Sequence, residues 1–372
     1  MFHRSGWLLS AAHKSSGKTT LAIGLAAALR GAGRRVQTFK KGPDYIDPMW
    51  LAQASGRACW NLDPHLMGWG EIDALVQREV HGTGHGTGQG ADVTLVEGNK
   101  GLYDGLALDG SNSNAALARH LGLPVVLVID ARGMTRGVAP LILGYQAFDR
   151  DLRIAGVILN RLGGSRHEAK LRAVIEHYTD VPVLGAVQQD AALEIVERHL
   201  GLVPSQEADG ALRTVQRLAE AVRQQVDLDR LLAVTAAPAE AVVPARPVPM
   251  ELRAAAPLAP SPAAPAEPVR IGVAMDRAFG FYYADDLLAL REAGAQIVAI
   301  DTLHDALLPP RLDGLFLGGG FPETSAAAIA ANTSLRSALQ QAIVGQRMPT
   351  YAECGGLMLL ARSLRTLDGQ VH

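Results

Sequence analysis

The chain has 372 residues, about two and a half times the ~150 of a typical domain, so two domains are the natural expectation. Apolar residues make up 48% and charged residues 19%, with a net charge of −2, which excludes a disordered chain and a broadly basic nucleic-acid or membrane-surface protein. Cys59 and Cys354 are the only cysteines, which leaves no disulfide framework and no Cys-rich zinc module.

Near the start, the apolar stretch 7–12 is closed by His13 and Lys14. It is too short for a signal h-region or a membrane span, so a soluble cytoplasmic protein is expected. Short β-branched runs at 7–11, 36–39, 93–96, 125–129 and 154–159 read as buried strands. The segments 18–30, 114–121 and 166–177 read as helices. This alternation predicts a parallel sheet covered on both faces. The Gly-rich stretch 82–90 reads as a flexible loop, and His81 and His85 beside it lack the carboxylate or Cys partners of a metal site. From 236 to 268 Pro recurs every few residues without helical or strand period, which predicts a semi-rigid linker. The expected domains are therefore 1–235 and 269–372. In the second, strands are expected at 269–274, 297–300, 315–317 and 350–353, with helices at 283–293, 325–343 and from Gly356 onward.

Two turns carry chemistry. The first is Ser10-Ala11-Ala12-His13-Lys14-Ser15-Ser16-Gly17-Lys18-Thr19-Thr20, between a predicted strand and a predicted helix. That is the setting of a P-loop, whose backbone N–H groups cup phosphate while Lys18 reaches the terminal phosphates and Thr19 a Mg²⁺ ion. Gly17 is the only glycine of the usual set; Ala12 and Ser15 stand where others are common, and an unliganded Gly-Lys-Thr helix start is the plainer alternative. Asp44 and Glu97 are candidate metal carboxylates beside Thr19, because strand ends face the crevice of a parallel sheet. Asp47 before Pro48 reads equally as a cap or turn residue, and Asp130 could act as Glu97 does at its own strand end.

The second turn is Tyr351-Ala352-Glu353-Cys354-Gly355-Gly356, preceded by the triple glycine Gly318-Gly319-Gly320. A cysteine flanked by glycines between a strand and a helix is a nucleophile elbow, activated in part by the helix N-terminus. N–H groups of Gly319, Gly320 and Gly355 are the candidate oxyanion hole. The alternative is a buried structural cysteine.

In order along the chain, KKGPDYIDPMW (40–50), NLDPHLM (61–67), VEGNKGLYDG (96–105), ILNRLGGSRHE (158–168), RAFGFYYADDL (277–287), LGGGFPE (317–323) and YAECGGL (351–357) resemble the cobyrinic acid a,c-diamide synthase family. Its members are ATP- and glutamine-dependent enzymes that amidate carboxylates on a tetrapyrrole rim, and the closely similar siroheme amide synthase acts on a sirohaem-type ring. The resemblance implies an α/β chain: a dethiobiotin-synthetase-like P-loop domain, then a class I glutamine amidotransferase domain that is incomplete at its C-terminal end. It implies ATP and Mg²⁺ as cofactors, with Gly17, Lys18, Thr19, Thr20 and Asn160 at the nucleotide, Asn160 at the adenine edge. Thr19, Asp44 and Glu97 would place Mg²⁺, an acyl phosphate would form, and Cys354 would release ammonia from glutamine. The implied partners are a tetrapyrrole carboxylate, glutamine or ammonia, and a second copy in a homodimer, with no nucleic acid and no membrane.

Asn99-Lys100 replaces an apolar pair that most of the family carries, and this extra cation leans toward the relative that uses another ring. Class I glutaminases also need a His well downstream of the nucleophile, whereas His372 is the last residue, so weak or absent glutaminase activity is expected of this stretch. Two readings of other classes stand beside it: a partition-type P-loop ATPase, and a module that only sequesters a tetrapyrrole.

Overall fold

The computed structural model describes residues 5–82, 89–195, 197–198, 201–206, 210–236, 267–366 and 369–372. The expected linker, 236–268, and the Gly-rich loop fall almost wholly outside the described residues. The chain divides into two compact units, 1–205 with 210–250, and 251–372 with 206–209.

In the first unit seven strands form one sheet: β1 (Ser5–Ala11), β2 (Val36–Lys41), β3 (Trp60–Leu62), β4 (Val93–Glu97), β5 (Val125–Asp130), β6 (Ile154–Leu162) and β7 (Val183–Gln188). Their order is β3-β2-β4-β1-β5-β6-β7, and every pairing is parallel. β2, β4 and β5 are buried along their whole length, the continuous burial of strands covered on both faces. The covering helices are α1 (Lys18–Gly31), α2 (Ile46–Ser55), α3 (Trp69–His81), α4 (Asn114–His120), α5 (Val138–Phe148), α6 (Ser165–Tyr178), α7 (Ala211–Gln225) and α8 (Leu228–Val234). A two-stranded ladder, β8 (Glu197–Arg198) with β9 (Gly201–Leu202), lies between η-turn residues 191–193 and α7. Because β1 pairs β4 on one side and β5 on the other, chain connections diverge at its C-terminal end, where open α/β sheets bind ligands.

The second unit holds β10 (Val269–Ala274), β11 (Phe279–Phe281), α9 (Ala284–Glu292), β12 (Ala295–Ile300), β13 (Gly314–Leu317) and β14 (Gly319–Gly320). These are followed by α10 (Ala326–Ala331), α11 (Thr333–Gln340), β15 (Thr350–Ala352) and α12 (Gly355–Leu359). A four-stranded parallel sheet runs β12-β10-β13-β15, and β11 pairs antiparallel with β14. Its core gathers Phe279, Ile300, Leu315, Leu317, Leu335 and Leu339. The single helix expected over 325–343 is instead broken at Asn332. The Asn332 side chain caps α11 by accepting from Leu335 N at 3.3 Å, while its amide donates to Thr302 O and Asp305 O. A residue that serves a cap and a neighbouring loop at once cannot also continue a helix.

Candidate active site

The turn between β1 and α1 takes its shape from left-handed backbone at two positions, Ser15 (φ 60°) and Gly17 (φ 84°). A Cβ on Gly17 would sit 2.2 Å from the Asn160 amide nitrogen, so glycine is required there on both counts. Ser15 has no such freedom, and its conformation is held from outside. Arg161 Nη1 donates to Ser15 O at 2.6 Å and to Asp130 Oδ2 at 2.8 Å. Asn160 Nδ2 donates to Ser16 O at 2.9 Å, and Tyr145 Oη donates to Ala12 O at 2.8 Å. Three carbonyls of the loop are therefore gripped by side chains from α5 and the end of β6. Burial pushes Asp130 upward, but hydrogen bonds from Arg132 and Arg161 win and hold it down at about 2.

Beneath this loop lies a polar cluster. Thr19 Oγ1 donates to Glu97 Oε1 at 2.5 Å and lies 3.2 Å from Asp47 Oδ2. Lys40 Nζ pairs with Asp47, with Glu97 Oε1 at 3.2 Å and with Asp44 Oδ2 at 3.8 Å. Glu97 is fully buried, and burial raises its carboxyl to about 7 despite the neighbouring Lys40. Burial opposes the charge on Lys40, yet Asp47, Glu97 and Asp44 together hold its ammonium well above the ordinary lysine range. Lys18 is 7% exposed, and burial lowers its pKa against the pull of Glu97 and Asp47. Lys18, Thr19, Asp44 and Asp47 open on a cavity of about 800 Å³, within the span of roughly 300–1,000 Å³ usual for ligand pockets, while Lys40 and Glu97 are buried behind its wall. Gly17, Lys18, Thr19 and Thr20 line one part of it; Asn160, Gln188 and Leu193 line another.

Of the expected metal set, Thr19 and Asp44 line the cavity, and the buried Glu97 reaches it through its hydrogen bond with Thr19. Asp44 differs in what it does there: its Oδ1 accepts from Ile46 N and Asp47 N, the first two N–H groups of α2. Asp47, which the sequence leaves as a cap or turn residue, joins Glu97 as a carboxylate that both Thr19 and Lys40 reach. Among the described residues no group of three His, Cys, Asp or Glu side chains is gathered as a metal cage; the carboxylates converge on Lys40 instead. Mg²⁺ takes one or two carboxylates plus substrate phosphates rather than an all-protein cage, and the oxygen set here suits it. The buried Glu97 Oε2 has no hydrogen-bond partner, an open acceptor beside the phosphate turn. Lys40 was missed because a lysine inside a strand reads as solvated; the local signal was Asp44 four residues on and Asp47 seven.

In the second unit, Cys354 sits in strained backbone (φ 48°, ψ −114°) at the start of α12 and is exposed. Glu353 N donates to Leu317 O at 3.0 Å and Gly356 N to Gly318 O at 2.8 Å. A Cβ on Gly356 would meet Leu317 O at 1.9 Å, so the turn closes only on glycine. A Cβ on Gly319 would lie 3.6 Å from the Cys354 Cβ, and one on Gly355 would lie 3.0 Å from Gly320 N. The three candidate oxyanion glycines therefore surround the cysteine. Gly319 and Gly320 also form β14, against Phe279–Phe281, a role that the triple glycine did not disclose.

Fold and sites together define a nucleotide-binding α/β domain followed by a glutamine amidotransferase domain. Residues 10–203 match the model of the CobQ/CobB/MinD/ParA nucleotide binding domain, and residues 270–372 that of the CobB/CobQ-like glutamine amidotransferase domain. Cobyrinate a,c-diamide synthase of Magnetococcus marinus is 44% identical over 96% of this chain and 73% of its own length. That of Methanosarcina acetivorans is 42% identical over 96% and 70%, and that of Synechocystis sp. 38% over 98% and 72%. The chain belongs to the cobyrinate a,c-diamide synthase family, a family of carbon–nitrogen ligases with glutamine as amido donor. Among solved structures it is similar to MinD of Aquifex aeolicus, at 12% identity over 62% of this chain and 95% of that one, with a TM-score of 0.36. No helix among the described residues is long and apolar enough to cross a membrane.

Proposed function

We propose that this chain amidates peripheral carboxylates of a cobyrinate-type tetrapyrrole, using ATP to activate each acid as an acyl phosphate. The observation that carries this reading is the linked cluster of Lys18, Thr19, Lys40, Asp47 and Glu97 at the phosphate turn, with Lys18, Thr19 and Asp47 on the cavity wall and Lys40 and Glu97 buried behind them. Phosphoryl transfer needs positioned cations and dipoles rather than covalent help from the protein. Backbone N–H groups of 15–19 would cradle the triphosphate, and Lys18 would neutralise charge that develops on the transferred group. Lys40, held charged by its three carboxylates behind the cavity wall, would position Asp47 and Glu97 beside the phosphates. Thr19, Glu97 and Asp47, with Asp44 at the rim, would hold Mg²⁺, whose chemistry is to screen the phosphate oxygens. Asn160 already spends one amide hydrogen on Ser16 O, so its remaining polar atoms are those open to the adenine edge.

In the second unit Cys354 would attack the side-chain amide of glutamine, with N–H groups of Gly319, Gly320 and Gly355 facing the developing oxyanion. That attack would expel ammonia and leave a γ-glutamyl thioester, which water would hydrolyse to glutamate and the free thiol, and the ammonia would displace phosphate from the acyl phosphate to give the amide. Residues 1–235 would be the ligase domain, 236–268 the linker and 269–372 the amidotransferase domain of a cytoplasmic enzyme, with homodimerisation read by sedimentation. The names of the relatives favour the cobyrinate ring over sirohaem. The amidotransferase match sets aside the partition ATPase and the sequestering module, neither of which has use for an elbow cysteine.

The test is mass spectrometry of cobyrinate and sirohaem after incubation with ATP, Mg²⁺ and ammonium. Each acid-to-amide change lowers the mass by about one unit, and carboxylate oxygen labelled with ¹⁸O should appear in the inorganic phosphate. Amidation without label in phosphate would exclude the acyl phosphate; no product from cobyrinate would exclude the substrate.

A further inference from the structure

Lys40 and Lys41 are neighbours at the end of β2, and strand alternation sends their side chains to opposite faces. Lys40 has three carboxylates. Lys41 is 5% exposed, yet among the described residues no carboxylate lies within 4 Å of its ammonium. Among the described residues the one hydrogen bond of its ammonium is to Asn99 Oδ1 at 3.2 Å, which leaves two of its three donors without a partner there. Burial lowers its pKa, Asp63 counters this at a distance, and Lys100 and Lys40 add to it. A buried cation so poorly matched is costly unless an anion joins it.

There is room for one. Lys41 lines a cavity of about 110 Å³ together with Asn99, Lys100, Asp63, Asp104 and Leu106, space for roughly three waters or one carboxylate group. The two acids on its wall are engaged by their own turns: Asp63 Oδ1 accepts from His65 N at 2.9 Å, and Asp104 Oδ2 accepts from Gly101 N at 2.9 Å. The Asn99–Lys100 stretch is fixed, not loose. The fully buried Asn114 accepts from Asn99 N at 3.2 Å and donates to Asn99 O and Gly101 O, and Lys100 is held in left-handed backbone at φ 42°. β2 therefore carries one residue for the cluster, Lys40, and one for this cavity, Lys41, while β4 ends on Glu97 of the cluster and the loop that follows it carries Asn99 and Lys100.

We propose that Lys41, Asn99 and Lys100 form a second carboxylate subsite, which holds a non-reacting acid group of the substrate while another acid group lies at the phosphoryl-transfer centre. This rests on the reading of the substrate as a polycarboxylate ring. The 80% exposed Leu106 at the edge of the cavity offers such a ring an apolar contact. Two-point holding fixes which rim carboxylate reaches the ATP, and so makes these residues determinants of regiochemistry as well as of affinity.

The test compares wild type with Lys100→Ala and Lys41→Met under ammonia-supported turnover, with cobyrinate as the probe. Lys100 is exposed, so its variant reports even where loss of the buried Lys41 impairs folding. Each variant should raise the KM for cobyrinate by roughly ten- to a hundred-fold, the loss of one charge-assisted hydrogen bond, and scatter the order of amidation, while the KM for ATP stays put. An unchanged KM for cobyrinate with an unchanged order of products in both variants would overturn the subsite. Should wild type itself leave cobyrinate unreacted, the proposed function falls; the subsite is then read by absorbance titration of cobyrinate without ATP, where equal Kd values for wild type and variants overturn it.

Discussion

The turns around Lys18 and Cys354 are both sharp passages from a parallel strand into a helix, and they are stabilised in opposite ways. The first is held by side chains from distant elements: Arg161, Asn160 and Tyr145 each take one loop carbonyl, and Arg161 is itself anchored on Asp130. The second is held by backbone and by the lack of side chains, with Gly356 tight against Leu317 O and Gly318 O. A turn that must present N–H groups to a large ligand benefits from scaffolding behind its carbonyls. One that must thrust out a single thiol needs its neighbours small.

Substitutions at the two turns should therefore fail differently. Lys18→Ala removes the charge that the proposed function aims at the transferred phosphoryl group, and ammonia-supported amidation should fall by roughly 10²–10³-fold with the fold intact, read by product mass. Activity within a few-fold of wild type would mean that Lys18 does not face the phosphates. Gly356→Ala should destabilise the second unit by about 1–3 kcal/mol through forced displacement at Leu317, seen as a lower urea midpoint for the amidotransferase unit. Arg161→Ala should weaken ATP binding by roughly three- to tenfold, because Ser15 loses its clamp, while the KM for the tetrapyrrole holds. Equal losses in both KM values would place Arg161 elsewhere in the mechanism.

What the sequence revealed follows the same division. Glu97 and Thr19 were readable because a strand end and a helix start announce their own positions. Gly355 and Gly356 were readable because a glycine pair after a cysteine has few other reasons to exist. Lys40 was not, since its burial depends on Asp44, Asp47 and Glu97 together, and Glu97 arrives from another strand. Asp47 was hidden by the following Pro48, which makes the local sequence look like a turn. Arg161 and Tyr145 were invisible because hydrogen bonds to a loop carbonyl across the sheet leave no periodic trace. The break at Asn332 escaped notice for a related reason, as its partners Thr302 and Asp305 lie in a separate loop.

A last expectation tests the scaffold directly. Asp130 has a folded pKa of about 2, below its ordinary value of 3.8, because hydrogen bonds from Arg132 and Arg161 favour its ionised form over the cost of burial. A depressed carboxylate contributes stability that is present above its unfolded pKa and lost as the pH falls through the folded one. Asp130→Asn should therefore lower the stability of the first unit by about 1–2 kcal/mol at pH 7, and the gap to wild type should narrow between about pH 4 and pH 2. Urea midpoints at pH 7, 4 and 3 read this. A gap that stays constant over that range would mean that the ion pairs with Arg132 and Arg161 contribute nothing, and that Ser15 keeps its left-handed conformation by some other contact.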